Sequence, residues 1–234
     1  MKTFTTKSGY QIIQLLSGRA NVWLVEAGSI RILVDTGITL NRKKLLNKLN
    51  PESLRSRDSA SLRLNFLLLT HTHFDHCQNA AWLKNRLGCK IIVGESAKEF
   101  VRMGYTPIPG GVTRWARFVV RLGRKFRPGF TGYAPFQADM IVKEKFTFAL
   151  EGVNLEIIPT PGHSSDSISL LVDGEVAIVG DTLYGMVSGK AMPPFADDVP
   201  LLKQQWKVLL DTGCQWFLPG HGKPISAALL QKFI

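Results

Sequence analysis

The sequence predicts an α/β fold in which two sheets pack face to face with helices outside, and three observations carry that prediction. Strand-like apolar runs dominate both halves of the chain, with helical segments interspersed. Histidines and aspartates stand directly after those runs in both halves, so loops from both sheets are expected to meet at one place. The 234 residues, 45% of them apolar, can bury two sheets back to back as a single domain spanning 1–234.

In order along the chain, residues 10–16, 20–25 and 29–34 have strand composition and are separated by Ser17-Gly18 and Ala27-Gly28 turns. They predict an antiparallel meander leading to Asp35. Residues 39–49 set Leu45, Leu46 and Leu49 against basic residues, a surface helix capped near Thr39. The serine-rich stretch 51–63 reads as an exposed connection. Residues 64–70 predict a buried strand, 75–87 a helix ended by Gly88, and 90–93 the next strand. In the second half, 145–148, 155–159, 167–172, 175–179 and 215–218 are strand candidates, with a helix at 200–210 and a closing amphipathic helix at 225–233.

The apolar run Leu67-Leu68-Leu69 stops at Thr70-His71-Thr72-His73-Phe74-Asp75-His76, three histidines and a carboxylate within six residues. Imidazole and carboxylate suit zinc and its borderline neighbours. His71 and His73, two apart in an extended loop, point to the same side and can reach one ion. The chain has five histidines, and the other two close strands in the same manner: His163 in Thr160-Pro161-Gly162-His163 and His221 in Leu218-Pro219-Gly220-His221-Gly222. Between them Val176-Ala177-Ile178-Val179-Gly180 ends at Asp181.

These motifs, in this order, resemble the metallo-β-lactamase superfamily, in the branch of the glyoxalase II-like hydroxyacylglutathione hydrolases and the acyl-homoserine lactonases, over about residues 10–221. The resemblance implies a four-layer αββα sandwich and two divalent metal ions. It implies that His71, His73 and His163 hold one ion, that Asp75, His76 and His221 hold the other, and that Asp181 bridges. Asp35, in Val34-Asp35-Thr36-Gly37, matches a position behind the ligands that orients the histidines. Zinc is the expected metal, although iron and manganese accept the same donors. The chemistry implied is hydrolysis of an ester, thioester or lactone carbonyl by a hydroxide held between the ions. Asp75 would orient that nucleophile, and Tyr184 matches a lactonase tyrosine near the substrate carbonyl. Two rivals come from other classes: an oxidoreductase of the persulfide dioxygenase type with a single iron, and a non-catalytic sensor module.

Residues 95–141 depart most from a minimal relative and read as an insertion. Within them Trp115, Phe118, Val119, Leu122 and Phe126 recur at helical spacing, with Arg114, Arg117, Arg121, Arg124 and Lys125 on another side, Gly110-Gly111 before and Pro128-Gly129 after. Three roles compete for this basic amphipathic segment: aromatic packing on the sandwich, a lid over the metal cleft with Trp115 and Phe118 against substrate, and attachment to an anionic membrane surface. The net charge of +11 raises the question of nucleic acid, and some relatives of this motif are nucleases. The charge is gathered partly into one segment instead of alternating with stacking aromatics, so a small-molecule acyl substrate is the expectation. Thirteen residues follow His221, where glyoxalase II relatives carry a helical domain that holds glutathione, so an acyl substrate other than hydroxyacylglutathione is the expectation.

Three unpatterned cysteines, Cys77, Cys89 and Cys214, argue against a disulfide framework. Cys77 adjoins His76, and a core position is favoured over a ligand or redox thiol. The polar N-terminus lacks the apolar stretch of a secretory signal, which predicts a cytoplasmic protein. No sequence feature specifies an oligomeric state.

Overall fold

Alternation along each strand decides what lies between the sheets and what lies outside them. In the strand Ile30–Val34, Ile32 and Val34 turn to the cluster between the sheets while Leu33 turns to the helices behind. A slip of one residue would exchange the two faces, so the pattern fixes the register. The computed structural model describes residues 2–49, 64–126, 131–148 and 152–234. The expected connection at 51–63 and the Pro128-Gly129 end of the amphipathic segment lie outside the described residues, as do the side chains of Arg124, Lys125 and Phe126.

The first sheet runs in chain order: β1 (Thr3–Thr5), β2 (Gln11–Leu16), β3 (Val22–Ala27), β4 (Ile30–Val34), β5 (Phe66–Leu68), β6 (Lys90–Gly94) and β7 (Met140–Val142). It is antiparallel as far as β4 and parallel from β4 to β7. The second sheet contains β8 (Phe146–Thr147), β9 (Leu155–Pro159), β10 (Ile168–Val172), β11 (Val176–Gly180), β12 (Trp216–Pro219) and β13 (Ile225–Ser226), ordered β13-β12-β11-β10-β9-β8. Only β11 and β12 are parallel there.

The helices are α1 (Arg42–Leu49), α2 (Phe74–Cys77), α3 (Ala80–Leu87), α4 (Ala97–Met103), α5 (Arg114–Phe126), α6 (Val199–Asp211) and α7 (Ala227–Leu230). Leu45, Leu83 and Val101 of α1, α3 and α4 cover the outer face of the first sheet, against Leu24, Leu33, Leu67 and Ile91. Leu202, Trp206 and Leu209 of α6 and Leu230 of α7 cover the second, against Ala177, Val179 and Phe217. The result is the four-layer αββα sandwich.

Several expectations need correction. The helix expected over 75–87 is two, α2 and α3, broken at Gln78-Asn79. The Asn79 amide donates to the carbonyls of Thr36, Gly37 and Ile38 at 3.0, 3.2 and 2.8 Å, and this tertiary anchor overrides helix continuation. The closing segment 225–233 begins as strand β13 before its short helix. Three short elements, β1, α4 and β7, have no counterpart in the predicted set; three to seven residues carry too little periodicity to announce themselves. Among the described residues no helix is long and apolar enough to cross a membrane.

Candidate metal centre and cleft

Asp75 and His76 sit in the short helix α2, and the other ligand-type residues and Asp35 follow the ends of strands. Asp35 follows β4, His71 and His73 follow β5, His163 follows β9, Asp181 follows β11 and His221 follows β12. Parallel pairing of β4 with β5 and of β11 with β12 puts those ends side by side, as open α/β sheets place their sites. Close backbone approach is needed to bring the halves together. A Cβ on Gly220 would run into Asp181 Oδ1 and lie 2.6 Å from His76 Cε1, so only glycine fits beneath the cluster.

The structure brings all seven expected ligands together. His71, His73 and His163 stand with ring centroids 4.6 to 4.9 Å apart and planes 82 to 86° from one another, three walls of a pyramid. Donor atoms of His71, His76 and Asp181 form a second group, and those of Asp75, His76 and His221 a third, each within 4.8 Å. Asp181 reaches across both sides: its Oδ2 is 3.7 Å from His163 Nε2 and 3.3 Å from His221 Nε2, and its Oδ1 is 3.6 Å from His76 Nε2. Asp75 Oδ2 lies 3.7 Å from His221 Nε2.

The outward nitrogens of four histidines are committed to acceptors, which settles the tautomers. His73 Nε2 donates to the Pro107 carbonyl at 3.2 Å and His163 Nδ1 to the Phe195 carbonyl at 2.9 Å. His76 Nδ1 donates to Asp35 Oδ2 at 2.8 Å. Thr70 Oγ1 gives its proton to Asp35 and so accepts from His71 Nδ1 at 3.2 Å. Asp35 therefore orients His76 directly and His71 through Thr70.

The inward atoms fit a cation. His73 Nδ1 and His163 Nε2 face each other at 3.0 Å, and burial holds both rings down to about 4, so neither carries a proton to share at neutral pH. Two opposed lone pairs repel unless a positive charge sits between them. His71 Nε2 and Asp181 Oδ1 are buried with no hydrogen-bond partner, a further sign of donors aimed at a metal. Burial, then the neighbouring histidines, push His71 well below its ordinary value. Burial opposes charge on His76 as well, but Asp35 and Asp181 together raise it to about 10. Burial works against the charge of Asp181 too, yet His221 and His76 hold its carboxyl well below the usual range. Five imidazoles and two carboxylates are donors that zinc, iron and manganese all accept.

A cavity of about 330 Å³ opens over this cluster. His73, Asp75, His163, Asp181 and His221 line it together with Tyr184, whose ring lies 5.5 Å from that of His221. Burial raises the Tyr184 hydroxyl, keeping it a neutral donor. Ile108, Pro109, Val119, Val120, Pro194 and Phe195 form an apolar wall. The expected cleft residues Trp115 and Phe118 are not in that wall. They are 71% and 63% exposed, because α5 turns Ala116, Val119 and Val120 inward instead. For the same reason Trp115, Phe118 and Leu122 do not pack on the sandwich as expected, whereas Val119 of the same stripe lines the cleft.

Cys77 is buried in the core beneath the first sheet, its thiol donating to the Thr72 carbonyl at 3.2 Å. Three supporting residues, Asp166, Thr106 and Tyr133, are not announced by the sequence. Buried Asp166 accepts from Thr72 N at 2.8 Å and from Thr72 Oγ1 at 2.6 Å, clamping the His71–His73 loop from the opposite half of the chain. Behind it the hydroxyls of Thr72, Thr106 and Tyr133 continue the chain at 2.8 and 2.7 Å. A lone carboxylate three residues after His163, flanked by Ser165 and Ser167, was the available signal.

Comparison with known proteins agrees with this geometry. The chain is 29% identical over 207 residues to a beta-lactamase-like protein 2 homolog of Drosophila melanogaster, covering 88% of this chain and 59% of that one. It is 25% identical over 208 residues to an atrochrysone carboxyl ACP thioesterase of Aspergillus fumigatus, covering 88% and 51%. The chain thus spans between half and two thirds of the length of these two relatives. An archaeal metallo-beta-lactamase superfamily protein of Sulfolobus tokodaii has the same fold, with a TM-score of 0.67 at 18% identity over 95% of this chain and 84% of that one. Residues 17–221 match the metallo-beta-lactamase superfamily, and the chain belongs to that superfamily of metal-dependent hydrolases.

Proposed function

We propose that this protein hydrolyses an ester, thioester or lactone whose acyl part is apolar. The observation that supports it most is the seven-donor cluster sharing Asp181 at a cavity whose remaining lining is mostly aliphatic and aromatic. His71, His73 and His163 would hold one divalent ion, Asp75, His76 and His221 a second, and Asp181 would serve both. Two such ions supply Lewis acidity and a water made acidic enough to act as a nucleophile at neutral pH.

The side chains divide the remaining work. Asp75, exposed to the cavity beside His221, orients the attacking water and takes up its proton. Tyr184 donates its hydroxyl to the oxygen that gains charge at the substrate carbonyl, a contribution on the order of 3 kcal/mol where such a donor is well aimed. The apolar wall receives the acyl chain and excludes water from it. Ile108, Pro109, Val119 and Val120, from the expected insertion, supply much of that wall and act as a lid over the cleft. The relative named as a thioesterase is in keeping with acyl transfer to water.

The test is reconstitution of metal-free protein with zinc, iron(II) or manganese, followed by metal counting and assay against graded acyl esters, acyl thioesters and lactones. Two ions per chain and turnover that rises with acyl length are expected. One iron per chain with oxygen consumption would replace this proposal with the dioxygenase, and phosphodiester cleavage alone would replace it with a nuclease.

A further inference from the structure

The helix α5 has three faces with three different fates. At 3.6 residues per turn, Ala116, Val119 and Val120 share one side, Trp115, Phe118 and Leu122 a second, and Arg114, Arg117 and Arg121 a third. The first side is spoken for: Ala116 and Val120 are buried, and Val119 and Val120 wall the cleft. The second is bare, with Trp115, Phe118 and Leu122 at 71%, 63% and 45% exposure. Large rings on successive turns of one helix, left in water, form the kind of contiguous apolar patch that marks a contact surface.

Charge narrows the choice of what covers it. The helix sequence RWARFVVRLGRKF contains four arginines, one lysine and no acidic residue, within a chain of net charge +11. Among the described residues no carboxylate is in salt-bridge reach of Arg114, Arg117 or Arg121, and Arg117 Nε donates to the Gly111 carbonyl at 3.2 Å. The occupant must therefore be anionic and must also accept aromatic rings. A single-stranded nucleic acid would call for rings interleaved with the cations along a groove. Here rings and arginines are segregated onto adjacent stripes of a helix about 20 Å long. That is the arrangement of a helix lying in the plane of a bilayer interface, rings at the acyl boundary and guanidiniums reaching to lipid phosphates.

We propose that α5 seats this protein on an anionic lipid bilayer surface through its Trp115, Phe118 and Leu122 stripe, with Arg114, Arg117 and Arg121 on the headgroups. Since the neighbouring side of the same helix walls the cleft, seating brings the cleft next to the lipid. The contact goes beyond the hydrolase proposal and does not depend on it, because none of these six residues lines the metal cluster or the cavity.

The test is vesicle flotation with metal-loaded and metal-free protein, using phosphatidylcholine alone and phosphatidylcholine mixed with phosphatidylglycerol. Wild type is expected to bind the anionic vesicles at least about tenfold better than the neutral ones, and less well as salt rises. Trp115→Ala/Phe118→Ala and Arg117→Glu/Arg121→Glu should each lose about tenfold or more while melting like wild type. Trp115→Phe keeps a ring and so keeps binding, but loses the quenching of tryptophan emission by brominated acyl chains. Wild type that stays with neither vesicle, equal binding to both, or double variants that bind like wild type each overturn the proposal. So does a wild-type dimer that Trp115→Ala/Phe118→Ala converts to monomer without any vesicle binding, since a second copy then covers the stripe.

Discussion

Asp35 Oδ2 accepts from His76 Nδ1 at 2.8 Å, and both side chains are buried. The same carboxylate accepts from Thr70 N at 2.8 Å and from Thr70 Oγ1, and it stands on a residue with φ of +61°, a conformation uncommon outside glycine. One side chain thus aims two histidines of the cluster, His76 directly and His71 through Thr70. Asp35→Asn tolerates that backbone but offers the ring a weaker acceptor. Metal affinity should fall about 10- to 100-fold, read by competition with a chromophoric chelator. Unchanged affinity would mean that the rings are aimed by packing alone.

Gly220→Ala tests the close approach between halves. The new methyl collides with Asp181 Oδ1 and His76 Cε1, and Gly220 is also tied by its carbonyl to Asn21 N at 2.7 Å, which restricts relief. Metal stoichiometry should drop and the melting temperature should no longer rise on adding metal. A variant that binds metal like wild type would show that the loop yields.

The clamp formed by Asp166 on Thr72 should matter for stability independently of metal. Hydrogen bonds to a buried carboxylate are worth about 1.5–3 kcal/mol. Asp166→Asn and Thr72→Val should each destabilise by about that much in chemical denaturation, and the double variant by much less than the sum, since the two share one interaction. Additive losses would separate the residues.

Acidity has a defined sign in the metal-free protein. Burial keeps His73 and His163 down to about 4, whereas unfolded histidine titrates near 6.5. Between those values the unfolded chain binds protons that the folded chain refuses, so stability is full above about 6.5 and is lost as pH falls toward 4. Each histidine contributes a slope of up to about 1.4 kcal/mol per pH unit. His76 runs the other way: its contribution is present below 6.5 and disappears as pH rises through about 10. Denaturation midpoints in chelator at pH 7 and pH 5 give the check, and an equal or higher midpoint at pH 5 contradicts neutral burial.

Val120 tests the acyl wall. It is buried and lines the cavity from α5, so Val120→Phe fills space without touching a ligand. KM should rise for long acyl substrates by about tenfold and little for acetyl ones, with metal content unchanged. A uniform change across chain lengths would move the acyl group elsewhere.

The strands, their faces and the ligand types could be read from the chain because each leaves a local trace. The run from Phe66 to Leu69 and the alternation in Ile30–Val34 announce burial, and histidines after such runs announce a ligand loop. The break at Gln78-Asn79 was invisible, since the carbonyls that Asn79 satisfies lie on Thr36, Gly37 and Ile38. Asp166 was passed over for the same reason: its partner Thr72 is 94 residues away. In α5 the periodicity revealed an amphipathic helix but misassigned its buried side, because two apolar faces compete and only packing chooses between Val120 and Trp115.

By itself, then, the sequence determined the αββα architecture and the histidines and aspartates that close its strands, both of which are written in short-range pattern and side-chain chemistry. Only the tertiary structure decided which atoms face one another, which carboxylate holds which ring, and which face of α5 meets water. Those are relations between residues far apart in the chain, fixed when the two sheets bury their shared apolar faces and bring the strand ends into one cluster.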